Sequence, residues 1–351
     1  MEENRKRYGW SVFLGVKRRP KAGYCSSPIE SNITGAFMKM PGLTVVILTF
    51  NEELHIRRCI ESVKTFASQV FVVDSFSTDR TVELCSELGA QVFQNPFKNH
   101  AAQFNWGLAH CPITTDWVMR LDADEYVLPE LAVELQKKLQ GLPETVAGIY
   151  VKRRVFFHGR WIRHGGYYPV WLLRVWRHGK AVCEGRLMDE HIKLSEGEAI
   201  KFTGDIVDEN LHGLTVWTNK HNGYATKEAI ELLNITHSFL NYSEVVPRLF
   251  GTQEQRKRWL KTIYARLPLF VRPLSYFLYR YVVKRGFLDG REGLIWHFLQ
   301  GFWYRFLVDA KLLELKRAMH SGRLSPQEAI LKLYGIEVGP VCQEPGPSHN
   351  N

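Results

Sequence analysis

Apolar and polar positions follow two periods along this chain, and their alternation predicts its first half. LTVVILT (43–49), VFVVD (70–74), AQVFQ (90–94) and DWVMRLD (116–122) are short apolar runs rich in β-branched residues, the pattern of buried strands. Between them apolar residues recur at helical spacing: Ile56, Cys59, Ile60, Val63 and Phe66 within 54–66, then 78–88, then 101–110. Ser77 or Thr78 is the candidate cap of the second helix and Gly89 its stop, and Pro129 opens a further helix. Strands alternating with helices predict an α/β fold with a parallel, doubly wound sheet, which binds ligands beyond the carboxyl ends of its strands. Thr49, Asn51, Glu52, Asp74, Ser75, Ser77, Asp79, Asp122 and Asp124 all fall at those ends.

From about residue 146 the texture changes to aromatic, Gly- and Arg-rich strands and ordered loops, and 211–233 returns to helical spacing. Beyond Pro247 come two apolar-aromatic stretches, 267–283 and 294–308, separated by KRGFLDGREG. Each is near or below the ~20 apolar residues that span a bilayer, and each is interrupted by Arg or His, so neither is expected to cross. The expected organisation is a basic, flexible extension over 1–42, a catalytic domain over 43–235, a basic aromatic helical region over 236–335 and a disordered tail over 336–351, without internal repeats. Within the extension, the apolar run 10–16 between two basic triplets is too short to span and fits a weak interfacial anchor or a basic tail; Met38 or Met40 is an alternative start.

Charge sharpens this division. Residues 246–318 hold fifteen Lys/Arg against five Asp/Glu, so their surplus of ten equals the formal +10 of the whole chain. An anionic partner is implied there, a nucleic acid or an anionic lipid face, and no helix-turn-helix, zinc-finger or RNA-binding signature accompanies the charge. Trp296, Phe298, Phe302, Trp303, Tyr304 and Phe306, with Arg280, Lys284, Arg285 and Arg305 nearby, match helices lying in a membrane interface or packed as ordinary core. The six cysteines lie far apart without a C-x-x-C pair and read as reduced thiols of a cytosolic protein.

The candidate chemistry centres on Asp122 and Asp124. Alternate side chains of an extended segment share a face, so a D-x-D at a strand end aims both carboxylates at one point, where a divalent cation with substrate phosphates can be held. Asp74 fits either a carboxylate that accepts hydrogen bonds from a base or ribose, or a helix cap; Asn51 fits a pocket wall or a plain turn. His158, Arg163 and His164 with Gly165-Gly166 suit the acceptor side or ordinary packing, as do Tyr167, Tyr168 and Trp171 for stacking on a sugar.

LTVVILTFNEE, VFVVDSFSTDRT, NHAAQFNWGL and WVMRLDADE, in this order and spacing, resemble the N-terminal half of the inverting family 2 glycosyltransferases with a GT-A fold. FFHGRWIRHGGYYPVWLLRVWRHGKAVCEGRLMDEHI extends the likeness toward the branch of lipopolysaccharide-core β-1,4-glucosyltransferases, so that it covers roughly 43–235. FLDGREGLIWHFLQGFWYRFLVDAK resembles a tail of membrane-associated members that build surface polysaccharides. The resemblance implies a Rossmann-like, mostly parallel sheet flanked by helices, with a C-terminal helical, membrane-facing extension.

It also implies roles. Thr49, Asn51 and Glu52 would line the nucleotide pocket, Asp74 would read the base, and Asp79 and Lys98 would lie near it, Lys98 toward the diphosphate. Asp122 would meet the ribose or donor sugar and Asp124 would ligate Mn²⁺ or Mg²⁺. The base of this branch falls in Met188-Asp189-Glu190-His191, where Glu190 takes the place of the family's Glu and Asp189 replaces its His, leaving both as candidates. The implied enzyme transfers a sugar, glucose favoured, from a UDP-sugar to a lipopolysaccharide-core or other envelope glycan at the inner face of the cell membrane, without nucleic acid. A polyprenyl-phosphate glycosyl synthase shares the donor site, and a non-catalytic nucleotide-binding membrane scaffold is the rival of another class.

Overall fold

The computed structural model describes residues 42–185, 190–240, 259 and 263–338. Four expected strands form as read: β1 (Leu43–Thr49), β2 (Gln69–Asp74), β3 (Gln91–Gln94) and β4 (Trp117–Asp122), interleaved with α1 (Ile56–Val63), α2 (Thr81–Glu87) and α3 (His100–His110). Six of the seven residues of β1 are buried, because it is central and covered on both faces. Its alternate side chains divide between two layers: Val45 and Ile47 pack with Ile56 and Ile60 of α1, Val46 with Phe104 of α3.

Past β4 the chain gives β5 (Glu125–Val127), α4 (Pro129–Lys138), β6 (Val146–Phe157), β7 (Arg160–Ile162), β8 (Val170–Arg177), β9 (Ala181–Cys183), β10 (Ile192–Leu194) and β11 (Glu198–Glu209). The main sheet runs β3-β2-β1-β4-β8-β6-β11-β5, with β7 on β6, and β9 and β10 pair apart. The expected parallel sheet is found over β3-β2-β1-β4. Beyond β4 the sheet is mixed: β8 runs antiparallel to both β4 and β6, β11 runs parallel to β6, and β5 antiparallel to β11. Strands after β6 are joined by loops and hairpins rather than crossover helices, so their directions need not agree.

The helical region comprises α5 (Leu214–His237), α6 (Val271–Leu278), α7 (Gly290–Trp296), α8 (Tyr304–Gly322) and α9 (Pro326–Tyr334), with π-helical turns at 279–283 and 297–303. Ala225, Ala229 and Leu233 of α5 meet Val308, Leu312 and Leu315 of α8 and Ile330 of α9 in one core. The fully buried Arg272–Asp309 ion pair ties α6 to α8, and Asp309 also accepts from the backbone of Phe270 at 2.8 Å. This region docks on the sheet where Phe157 and Ile162 meet Trp217 and Trp296. Gly165 is obligatory at this junction: its φ is +69°, and a Cβ would lie 1.9 Å from the ring of buried His297. The cysteines among the described residues, Cys59, Cys85, Cys111 and Cys183, are buried and unpaired. No helix there is long and apolar enough to cross a membrane. The N-terminal extension and the end of the tail lie outside the described residues.

Candidate active site

The loops after β1 and β2 are stitched into one wall. Asn51, at φ 55°, donates its backbone N–H to Ser77 and accepts from the N–H of Thr78 at 2.8 Å. The N–H of Glu52 donates to Thr81, and that of Glu53 to Asp79, which also accepts from the N–H and hydroxyl of Thr81. Asp79 thus shapes the start of α2, and although burial opposes ionisation, the Thr81 bonds hold its carboxyl below the usual range. Asp74 is fully buried. Its oxygens accept from Thr49 at 2.9 Å, from the backbone and hydroxyl of Ser77, and from Gln94. In this geometry Asp74 braces the wall, and a base reaches it only by displacing one of those donors. Phe50 and Phe76 are exposed on the two loops, and Lys98 is exposed on the β3–α3 loop.

The acidic cluster follows β4. Asp122 accepts from Arg120 at 3.2 Å and from Arg174 at 3.1 Å, and these guanidiniums hold it well below the usual carboxylate range against the cost of burial. Arg174 also donates to Glu125 at 2.5 Å, while Glu125 accepts the backbone N–H of Asp122. Burial and the Asp122 charge push the Glu125 carboxyl up. Arg174 owes its direction to a bulge: β6–β8 pairing passes from Ile149–Val175 to Tyr150–Leu173, leaving Arg174 as the extra residue. Burial likewise raises Asp208, to about 6, which pairs with Arg153 at 3.1 Å.

Asp124 is half-buried, and its Oδ2 accepts from Asn210 at 3.1 Å. Asn210 also accepts the N–H of His212, so one short segment joins the D-x-D to that imidazole. Glu52, His55 and His212 place possible ligand atoms within 4.8 Å of one another. Within that group His55 is committed: its Nε2 accepts the N–H of Leu211 at 2.8 Å, so Nδ1 carries the proton donated to Glu52 at 2.6 Å. The Asp124 carboxylate, outside that arrangement, is suited to a hard divalent cation, whereas both oxygens of Asp122 already accept from guanidiniums.

Glu190 follows β9 in the loop that leads back to β10, and Asp189 and Met188 lie outside the described residues. Its charge acts on two neighbours, Cys183 and Tyr224. Cys183 also meets Arg120 at 3.5 Å, and the Arg120 guanidinium binds Asp122, so the end of β9 borders the D-x-D; the Glu184 N–H donating to the His191 carbonyl at 3.0 Å brings the Glu190 loop to that end.

Residue patterning alone left Arg120, Arg153, Arg174, Asp208 and His212 unassigned. Arg120 in WVMRLD and Arg174 in VWLLRVW carried a readable signal, since a charge inside a buried strand requires a carboxylate partner. The other three had none, because their partners are distant in sequence.

Residues 44–190 match the family described as Glycosyl transferase family 2. An uncharacterized glycosyltransferase of Rickettsia typhi is 29% identical over 282 residues, 79% of this chain and 88% of its own. The lipopolysaccharide core biosynthesis glycosyltransferase LpsC of Rhizobium meliloti is 27% identical over 294 residues, 79% of this chain and 93% of its own. Among solved structures, glucosyl-3-phosphoglycerate synthase of Mycobacterium tuberculosis aligns at 23% identity over 33% of this chain and 44% of that one, with a TM-score of 0.26, too small a superposition to argue from.

Proposed function

We propose that the family 2 glycosyltransferase domain over residues 44–190 works as an inverting, metal-dependent hexosyltransferase, moving glucose in the first instance from UDP-glucose to a lipopolysaccharide-core or other envelope glycan. The observation that carries this reading is the carboxyl edge of the sheet, where Asp122 and Asp124 follow β4 beside the Thr49–Asp74 wall. The name of the LpsC relative, similar over 93% of its length, supports the acceptor class.

In this reading Asn51, Glu52 and the β2–α2 loop form the nucleotide wall that Asp74 and Asp79 brace. Asp122, kept ionised by Arg120 and Arg174, faces the ribose or donor sugar. Asp124, with His212 beside it, would hold Mn²⁺ or Mg²⁺, which neutralises charge on the diphosphate. Glu190 takes the proton of the acceptor hydroxyl as its oxygen bonds to the anomeric carbon and the nucleoside diphosphate leaves, a contribution of ~10²–10⁴-fold. A single displacement from the opposite face inverts the anomeric centre.

The acceptor reading is supported by the surface of the helical region. Val271, Leu274, Leu278 and Val282 form one exposed stripe along α6 and its π-helical turn, Phe287 and Leu288 stand exposed in the following loop, and Leu294, Ile295 and Phe298 continue it. Phe277, edge-on to Phe298 and tilted against Phe302, joins the two helices behind these residues. Exposed Lys284, Arg285 and Arg291 flank the loop. An apolar face rimmed by cations suits the interface of an anionic bilayer, at whose inner leaflet lipid-linked glycans are extended.

The test is nucleoside diphosphate release from a panel of nucleotide sugars with Mn²⁺, Mg²⁺ or EDTA, in wild type, Asp124→Ala and Glu190→Gln. Metal-dependent turnover of one donor, lost in Asp124→Ala and reduced in Glu190→Gln, is expected. Full activity of Glu190→Gln would transfer the base role to Asp189, and no turnover or binding of any donor would overturn the reading.

A further inference from the structure

The mixed half of the sheet carries charge on a face that the donor chemistry does not use. Pairing decides which side chains share that face. Trp176 lies opposite Val118 of β4 and Gly148 of β6, Lys152 lies opposite Trp171 of β8 and Asp205 of β11, and Tyr150 lies opposite Lys201. Alternation then puts Lys152, Arg154, Trp171, Lys201 and Asp205 on the side of the sheet that holds Val118, Arg120 and Asp122. Over β1, β2 and β4 this side is covered by α3 through Ala101 and Phe104. The β9–β10 hairpin carries the cover as far as Gly148, where a Cβ would lie 2.9 Å from Leu194. Beyond Gly148 the side chains of β6 on this face are half-buried.

Four cations and three aromatic rings are held together there. Asp205, 3% exposed, accepts from Arg154 at 2.6 Å and from the Tyr168 hydroxyl at 3.2 Å, and pairs with the Lys152 ammonium at 3.2 Å. Arg154 and Arg163 stand 4.6 and 5.3 Å from the ring centre of Trp161, Lys201 stands 4.9 Å from that of Trp171, and Lys152 stands 5.5 Å from that of Tyr168. Contacts of this kind fix where a cation stands. Among the described residues Arg163 and Lys201, both exposed, have no carboxylate partner. Four positive charges against the one of Asp205 leave a surplus of three on a surface whose geometry is set in advance. Neutralising a buried carboxylate accounts for Lys152 and Arg154, and it leaves Arg163 and Lys201 without a task.

The position of this patch names its occupant. On one side stands the β9–β10 hairpin, entered from the Glu190 loop. On another, Arg163 precedes His164, whose backbone N–H and Nδ1 both donate to Asp289, at 2.8 and 2.6 Å, and the N–H of Gly165 donates to the Lys284 carbonyl at 2.9 Å. Lys284 and Asp289 bracket the loop on which Phe287 and Leu288 stand exposed. The patch is thus joined both to the hairpin of the attacking side and to the apolar surface of the helical region. We infer that Lys152, Arg154, Arg163 and Lys201, held by Trp161 and Trp171, bind an anionic stretch of the acceptor glycan, one bearing phosphate or carboxylate groups. Opposite charge draws that stretch to the patch, and the half-buried indoles beside the cations offer flat apolar surface to the C–H faces of its sugar rings.

This rests on the transferase reading, and the experiment separates the two. The probes are the anionic envelope oligosaccharides of the cells that make the protein, released by deacylation, the same oligosaccharides after dephosphorylation and carboxyl reduction, and a single-stranded DNA of matching charge. Binding is measured by calorimetry with UDP present, in wild type, in the double variant Arg163→Glu/Lys201→Glu and in Trp171→Ala. Wild type should bind the charged oligosaccharides about tenfold or more tightly than the neutralised ones, the scale of a few exposed ion pairs, and added salt should erode that preference. The double variant should lose most of the preference, and Trp171→Ala, which frees Lys201 and Lys152, a smaller part of it. Equal affinity of wild type for charged and neutralised oligosaccharides, or a preference kept in the double variant, would overturn the inference and leave the transferase standing. Tighter binding of the DNA than of the oligosaccharides would overturn it in favour of a nucleic acid. The wild-type comparison needs no substitution, so it decides the matter even where a variant does not fold. Failure of the wild type to bind UDP, or any other nucleoside diphosphate tried in the same way, would instead overturn the reading on which the inference rests.

Discussion

The sheet and the helical region solve opposite problems with similar apolar content. Among the described residues, 43–209 expose six large apolar side chains, scattered over loops, one helix and one strand, whereas 267–306 expose thirteen in a quarter of the length. The first region gathers charge inward: Arg120, Arg153 and Arg174 each meet a carboxylate in the cleft. The second turns apolar side chains outward, with Lys284, Arg285 and Arg291 exposed beside them. Exposed apolar patches of that extent mark interaction surfaces, and the comparison teaches that the carboxylate cleft and the apolar surface occupy separate parts of one fold.

The largest expected effect would separate the regions from the catalytic side. Asp124→Asn should lower donor turnover by ~10³-fold or more, since a metal on a leaving group supplies several kcal/mol, while vesicle binding and thermal unfolding stay as in wild type; turnover and vesicle binding falling together would mean that the two regions do not act separately. From the other side, combining Leu274→Asp, Leu278→Asp and Phe298→Asp should weaken partition onto anionic vesicles by ~10²-fold or more, at roughly 1.5–3 kcal/mol per buried side chain. Donor hydrolysis in solution should persist. Flotation of the triple variant equal to wild type would remove the membrane face from consideration.

A smaller effect tests the joint. Gly165→Ala should destabilise the chain by ~2–3 kcal/mol in denaturant titration, because the new methyl meets His297 and the left-handed backbone is strained. Smaller again is a pH effect confined to the helical side. Burial lowers the pKa of His221 and of His297 from 6.5 to about 4. The folded state then stays neutral while the unfolded state takes up protons, so stability is full above pH 6.5 and declines as pH falls toward 4. Each histidine should account for about 2 kcal/mol of loss at pH 5. His221→Phe, which keeps the stack on Trp217, should remove its share of the slope between pH 7.5 and 5, and an unchanged slope would refute that assignment.

Much of the catalytic half was legible because its signals are local. The apolar runs of β1, β2 and β4 end at Thr49, Asp74 and Asp122, and strand-end polarity marks the ligand edge whatever the later topology. The antiparallel turn beyond β4 was not legible, since 146–209 lacks the helical spacing that fixes crossover direction. Asp74 shows a second limit: its position was readable, but its enclosure by Thr49, Ser77 and Gln94 depends on three separate segments. Arg174 shows a third, because its aim at Asp122 and Glu125 arises from a bulge that no residue of β8 announces.

The sequence by itself determined the alternation of strands and helices over 43–122, which strand ends are polar, and that the C-terminal third is basic and aromatic. These follow from periodicity and composition, which act over a few residues at a time. Only the tertiary structure decided which carboxylates guanidiniums hold charged, which cations are already committed, and which face of 267–306 is left uncovered. Those properties depend on the environment that residues far apart in the chain create for one another, and electrostatic and burial free energies take their values from that environment.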